Sequence, residues 1–152
     1  MSNSAPAPLA AAASLAVGGS LESSALGGRA TARPGPTQLM HEVGIMQSIL
    51  AVAEQQARAA GAVRIHQVRV RIGQLAGVVP DSLQCAFEIL RPPTLAAAAR
   101  LEIEEIPPTC WCAVCQREFA SPELWWQCPR CGAASNELRR GRELELASLE
   151  VE

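Results

Sequence analysis

The chain has no tyrosine and no lysine, and aromatic residues make up only 3% of its 152 positions. Any core must therefore be aliphatic, built from Leu, Val, Ile and Ala. All 13 basic side chains are arginines, they are scattered, and the formal net charge is −2. Without a polybasic run or a basic helix, the electrostatic footprint of a nucleic-acid binder is missing. No stretch approaches the roughly 18 consecutive apolar residues of a membrane span. Residues 9–17 are apolar but lack the basic leader that a signal peptide needs. A G-x-x-x-x-G-K-S/T phosphate loop is also absent, so nucleotide hydrolysis is not expected of this chain.

Residues 1–39 are Ala, Ser, Gly and Pro with almost no charge. Such a composition buries too little surface to offset chain entropy, so a disordered extension is expected there. The composition changes abruptly at a second methionine, Met40, and a natural start at Met40 is one expectation.

Cysteine is what the chain has in concentration. Five of its six cysteines lie in residues 110–131, CWCAVCQREFASPELWWQCPRC. Cys112/Cys115 and Cys128/Cys131 are C-x-x-C pairs with twelve residues between them. Two such hooks offer four thiolates at about 2.3 Å from a tetrahedral zinc ion. Pro129 tightens the second hook and Gly132 permits the turn that follows. Two disulfides are the alternative, disfavoured because thiols grouped for metal in a chain without an export signal indicate a reducing cytoplasm. Iron in place of zinc is disfavoured to a similar degree, though not excluded. Cys110 is surplus to the four-ligand count and is expected to be an unused neighbour.

Around the cysteines the hydrophobic periodicity predicts two helices and three strands. Ile45, Ile49, Val52, Ala53, Ala57 and Ala60 recur at helical spacing from His41 onward, and Gly61 follows as a stop. Leu83, Ala86, Phe87 and Leu90 form a second stripe that Pro80 can open. Cys85, beside that stripe, is expected in the core. Val68, Val70 and Ile72 alternate with arginines; Leu101 and Ile103, and then Leu144 and Leu146, alternate with glutamates. Phase shifts predict bulges near His66 and Gln67 and near Ala147 and Ser148. Pairing the arginine strand with a glutamate strand would set opposite charges across the ladder. The fold class is thus α+β, with two helices packed on a three-stranded sheet and an inserted four-cysteine, zinc-ribbon-like module. Its expected parts are the 1–39 extension, an α/β domain of 40–106 plus 139–152, and a zinc module of 107–138.

Three blocks, MHEVGIMQSIL, RIGQLAGVVPDSLQCAFE and CWCAVC…CPRCG…ELELASLEVE, occur in this order. Together they resemble the HypA/HybF family of hydrogenase nickel-incorporation accessory proteins. The resemblance spans residues 40–152 and implies an α/β nickel-binding domain carrying a zinc insertion. It places nickel at His41, with Met40 and Glu42 contributing backbone nitrogens or outer contacts, and zinc at Cys112, Cys115, Cys128 and Cys131. It implies a cytoplasmic metallochaperone for Ni²⁺, not an enzyme, with structural Zn²⁺. Its partners would be a HypB-type GTPase, the hydrogenase large subunit and urease accessory proteins, with no nucleic acid or membrane. Monomer and homodimer are both compatible.

Ni²⁺ favours nitrogen donors in square-planar or tetragonal sets. A histidine second from a free terminus supplies imidazole, its own amide nitrogen and the terminal amine in fused chelate rings. With residues 1–39 attached, the Met40 nitrogen is an amide, and weaker or differently ligated binding is expected. Asp81 is the nearest acid in the loop after the first strand and is not assigned to nickel. Trp111, Trp125 and Trp126 are expected to cover the zinc site, Arg139, Arg140 and Arg142 to be a solvated turn, and His66 to be solvated. The rival functions are a zinc-ribbon protein- or nucleic-acid-binding module and a C-x-x-C thiol redox enzyme.

Overall fold

In the computed structural model, residues 36–121 and 126–152 are described, together with two short strands upstream, β1 (Pro8–Leu9) and β2 (Ala13–Ser14). Most of the extension expected to be disordered, and Trp125, lie outside the described residues. The remaining elements are α1 (Pro36–Ala59), β3 (Ile65–Gly73), α2 (Pro80–Leu90), β4 (Arg100–Ile106), β5 (Thr109–Cys112), β6 (Arg117–Ala120), β7 (Leu138–Arg140) and β8 (Leu144–Val151).

The main sheet is centred on β3, which pairs parallel to β4 and antiparallel to β8. A parallel neighbour requires a crossover, and α2 supplies it. The zinc insertion therefore joins two strands that flank β3 instead of touching each other. Both expected bulges are present: the β3–β8 register slips between Ile65 and Gln67, and between Arg69 and Val70, where Ala147 is skipped. The first slip brings Ile65 onto the same buried face as Val68, Val70 and Ile72 despite its opposite sequence phase. The charge ladder forms as well. Arg69 pairs with Glu102 at 3.0 Å, and Arg71 pairs with Glu104 at 3.0 Å and with Glu145 at 3.6 Å. These side chains are half exposed, so each pair contributes only about 0.2–1 kcal/mol.

Both helices pack on the other face. From α1 come Ile45, Met46, Ile49, Leu50, Ala53 and Ala57; from α2 come Leu83, Ala86 and Phe87. Met46 and Leu50 widen the stripe beyond the expected residues, and Ala60 is exposed because α1 has already ended. Glu54 Oε1 lies 3.5 Å from Arg58 and also accepts the Leu95 amide at 3.0 Å, anchoring the segment after α2. Cys85 falls on the exposed face of α2, which corrects its expected core position. Leu83, Ala86 and Phe87 already fill the inward arc, and Cys85 lies outside it.

The insertion has its own three-stranded sheet, in the order β6-β5-β7. In it Thr109 pairs with Arg140 and Cys110 with Leu138.

Candidate metal centres

The first centre is made by two turns of the insertion. Cys112 ends β5, and Cys115 follows on the turn into β6 with its amide 3.3 Å from Cys112 Sγ. The second hook closes through the Gly132 amide, which donates to the Cys128 carbonyl at 2.8 Å. Cys112 Sγ lies 3.6 Å from Cys131 Sγ, and Cys128 Sγ lies 4.0 Å from Cys115 Sγ. All four sulfurs fall within 4.8 Å of one another. Sulfurs at 2.3 Å from a tetrahedral ion sit about 3.8 Å apart. The separations bracket that value and are far beyond the ~2.05 Å of a disulfide. The donor set and its geometry fit zinc.

Electrostatics lead to the same conclusion. Amides of Cys131 and Arg130 hold the Cys128 thiol down to about 7. Hydrogen bonding to Cys131 and desolvation push Cys115 up to about 12. Four crowded sulfurs cannot all become thiolates without a cation among them. Cys110 is fully buried with Phe119 in the small core of the insertion, outside the four-sulfur group, and burial raises its thiol. Trp126 packs on that core, while Trp111 lies under the Arg139 guanidinium at 4.9 Å. Arg139 also pairs with Glu137 at 2.7 Å, so one arginine of the expected basic turn is engaged.

The second centre lies on α1. Met40 is exposed, and the His41 side chain is half exposed, with Nδ1 4.0 Å from Glu42 Oε2. Among the described residues no third His, Cys, Asp or Glu side chain joins this pair in a metal-sized group. Asp81 is exposed in the first turn of α2. Glu42, by contrast, is fully buried, and its Oε1 accepts the Val79 amide at 3.0 Å. Val79 is the N-cap of α2 and has no side chain able to cap it. Glu42 thus caps α2 from another helix, at the end where the helix dipole favours a carboxylate. Its Oε2 is buried with no hydrogen-bond partner and faces His41. Reasoning from sequence missed this cap, although a valine before Pro80 was the available cue. Glu42→Ala should lower stability by roughly 1–3 kcal/mol, because a buried amide loses its acceptor. A thermal melt unchanged from the parent would refute the capping role.

The loop between β3 and α2 connects the two centres. The Gly73 and Leu75 amides donate to the Glu143 and Gly141 carbonyls at 2.7 Å each, and the Gln74 amide donates to Ile106 at 2.9 Å. One end of the loop thus grips both passages into the zinc insertion, and the other end hangs on Glu42.

The family model for hydrogenase/urease nickel incorporation, metallochaperone, HypA, matches residues 40–151. The chain belongs to the HypA family. The HypA hydrogenase maturation factor of Picosynechococcus sp. is 46% identical over 112 residues, covering 74% of this chain and 99% of the relative. That of Chloroflexus aurantiacus is 43% identical over 114 residues, with the same 74% and 99% coverage. The solution structure of the Ni metallochaperone HypA from Helicobacter pylori superposes with a TM-score of 0.52 at 27% identity, over 72% of this chain and 96% of that one. A second HypA solution structure gives 0.56 at 26% identity, over 74% and 97%. As a HypA protein the chain is a nickel metallochaperone of hydrogenase/urease maturation and not an enzyme. No helix among the described residues is long and apolar enough to cross a membrane.

Proposed function

We propose that this HypA protein carries Ni²⁺ at His41 and inserts it into nickel-iron hydrogenase in the cytoplasm, with urease as a second destination. The observation that carries the nickel assignment is the family match, which begins at Met40 and so takes in the Met40-His41-Glu42 block. His41 supplies an accessible imidazole, Met40 and Glu42 offer backbone nitrogens, and the buried Glu42 carboxyl lies 4.0 Å from the ring nitrogen Nδ1. A carrier must release its cargo, and an exposed chelate with one side-chain donor suits that better than a closed cage. Nucleotide hydrolysis would come from a HypB-type GTPase, and the hydrogenase large subunit would receive the metal. Zinc at Cys112, Cys115, Cys128 and Cys131 is structural.

His41→Ala is expected to abolish nickel binding while one zinc per chain remains, measured by metal analysis after nickel loading. Retained nickel, or zinc lost together with it, would sink the two-site assignment. A nucleic-acid-binding ribbon would offer free arginines beside exposed rings, whereas Arg139 is stacked on Trp111 and paired with Glu137.

A further inference from the structure

The metal-binding residues are not where α1 begins. The helix starts at Pro36, so Met40, His41 and Glu42 lie in its second turn. In an α-helix each amide donates to the carbonyl four residues earlier, and only the first four amides are left without a partner. If the helix began at Met40, the unsatisfied amides would be those of Met40, His41, Glu42 and Val43. Residues 36–39 supply the four carbonyls that occupy these donors instead: Pro36 for Met40, Thr37 for His41, Gln38 for Glu42 and Leu39 for Val43.

A chelate built from the imidazole and adjacent backbone nitrogens cannot form while those nitrogens are donors inside a helix. Upstream of it, β1 and β2 pair antiparallel with β8, Pro8 opposite Glu150 and Leu9 opposite Leu149, then Ala13 opposite Leu146 and Ser14 opposite Glu145. Four residues of the extension are thus paired with the sheet of the same domain. The extension is additional to what the family shares, because the match starts at residue 40 and accounts for nearly the whole of the relatives. A buried carboxyl oxygen without a hydrogen-bond partner, Glu42 Oε2, lies 4.0 Å from His41 Nδ1.

We propose that residues 36–39 are a helical lock on the nickel chelate. Nickel takes the backbone nitrogens around His41 only when this turn unwinds or is removed. Each amide that becomes a ligand gives its proton to the solvent and its nitrogen lone pair to Ni²⁺, with no change of oxidation state. This rests on the nickel role assigned to His41.

The test compares the full chain, its Leu39→Pro variant and the chain beginning at Met40, each titrated with Ni²⁺ by calorimetry in two buffers of different ionisation enthalpy. Leu39→Pro disfavours helix at Gln38 and makes position 39 a good first helical residue, so the turn is removed without shortening the chain. Zinc content and thermal melts verify that it folds. The full chain should bind nickel at least about tenfold more weakly than the chain from Met40, and Leu39→Pro should recover part of the difference. Nickel should also speed amide hydrogen exchange over residues 36–43 of the full chain. Equal affinities in all three, with exchange unchanged by nickel, would overturn the lock while leaving His41 a ligand. No nickel binding by the chain from Met40 would remove the nickel reading itself, and the lock with it.

Discussion

Replacing Gly73 with alanine is expected to destabilise the protein by roughly 3 kcal/mol or more, lowering its melting temperature by about 10 °C or more. The φ of Gly73 is unexceptional, so the cause is space alone. A Cβ there would run into the backbone of Gly141 and the amide nitrogen of Arg142, well inside van der Waals contact. Backbone cannot swing aside as a side chain can. Gly141 is itself held with φ +120°, and a Cβ on it would lie 2.9 Å from Pro108 Cα. Three strands of backbone are thus stacked where the chain enters the insertion, leaves it and turns toward α2. Relief at Gly73 would also pull on the Leu75-to-Gly141 and Gly73-to-Glu143 hydrogen bonds. Gly44→Ala is the matched control, since its Cβ would meet nothing within 4 Å and the residue is in α1. That change should stabilise by about 0.5–1 kcal/mol. Similar melts for the two variants would show that the crossing is not tight.

The contrast between those glycines marks what a sequence can disclose. Val68, Val70 and Ile72, the glutamate strands and both bulges are written in period-two alternation and its phase shifts, and all are found in the structure. So is the grouping of the four cysteines, because a C-x-x-C hook is a local object and two of them need only meet. Relations between distant segments left no local trace. Nothing near Gly73 signals that Gly141 will lie against it. Glu42 reads as a ligand candidate beside His41, yet its carboxyl is committed to the amide of Val79 on another element. Cys85 was misplaced because the apolar Ala86 and Phe87 that follow it do not tell which arc of α2 faces the sheet. The start of α1 at Pro36 was hidden by the low complexity before Met40, where composition argues for disorder.

Removing zinc is expected to melt the insertion and spare the rest. The buried core of the insertion consists of Cys110, Cys112, Phe119 and Cys128, with Cys115, Trp126, Ala133 and Leu138 packed around it. Two of its four buried residues belong to the four-cysteine group, and only one is aromatic. So little apolar area cannot offset the conformational entropy of some thirty residues, so the metal must supply the difference. Apparent zinc-binding energies of about 10–16 kcal/mol in small zinc domains are ample for that. The core of the α/β domain, by contrast, takes no residue from the insertion. In the metal-free protein, amides of β5 to β7 should exchange freely while those of β3 and the buried face of α1 stay protected. Acid should act like a chelator. Zinc binds thiolates, so protons compete with it, and its hold is complete at high pH and weakens as pH falls. Cys115, pushed up to about 12 when metal-free, must give up the most reluctant proton, and Cys128, held near 7, the easiest. Protected β5 amides in metal-free protein would refute the dependence of the insertion on zinc. Loss of protection at β3 would show instead that the Gly73–Gly141 crossing fuses the two parts into one cooperative unit.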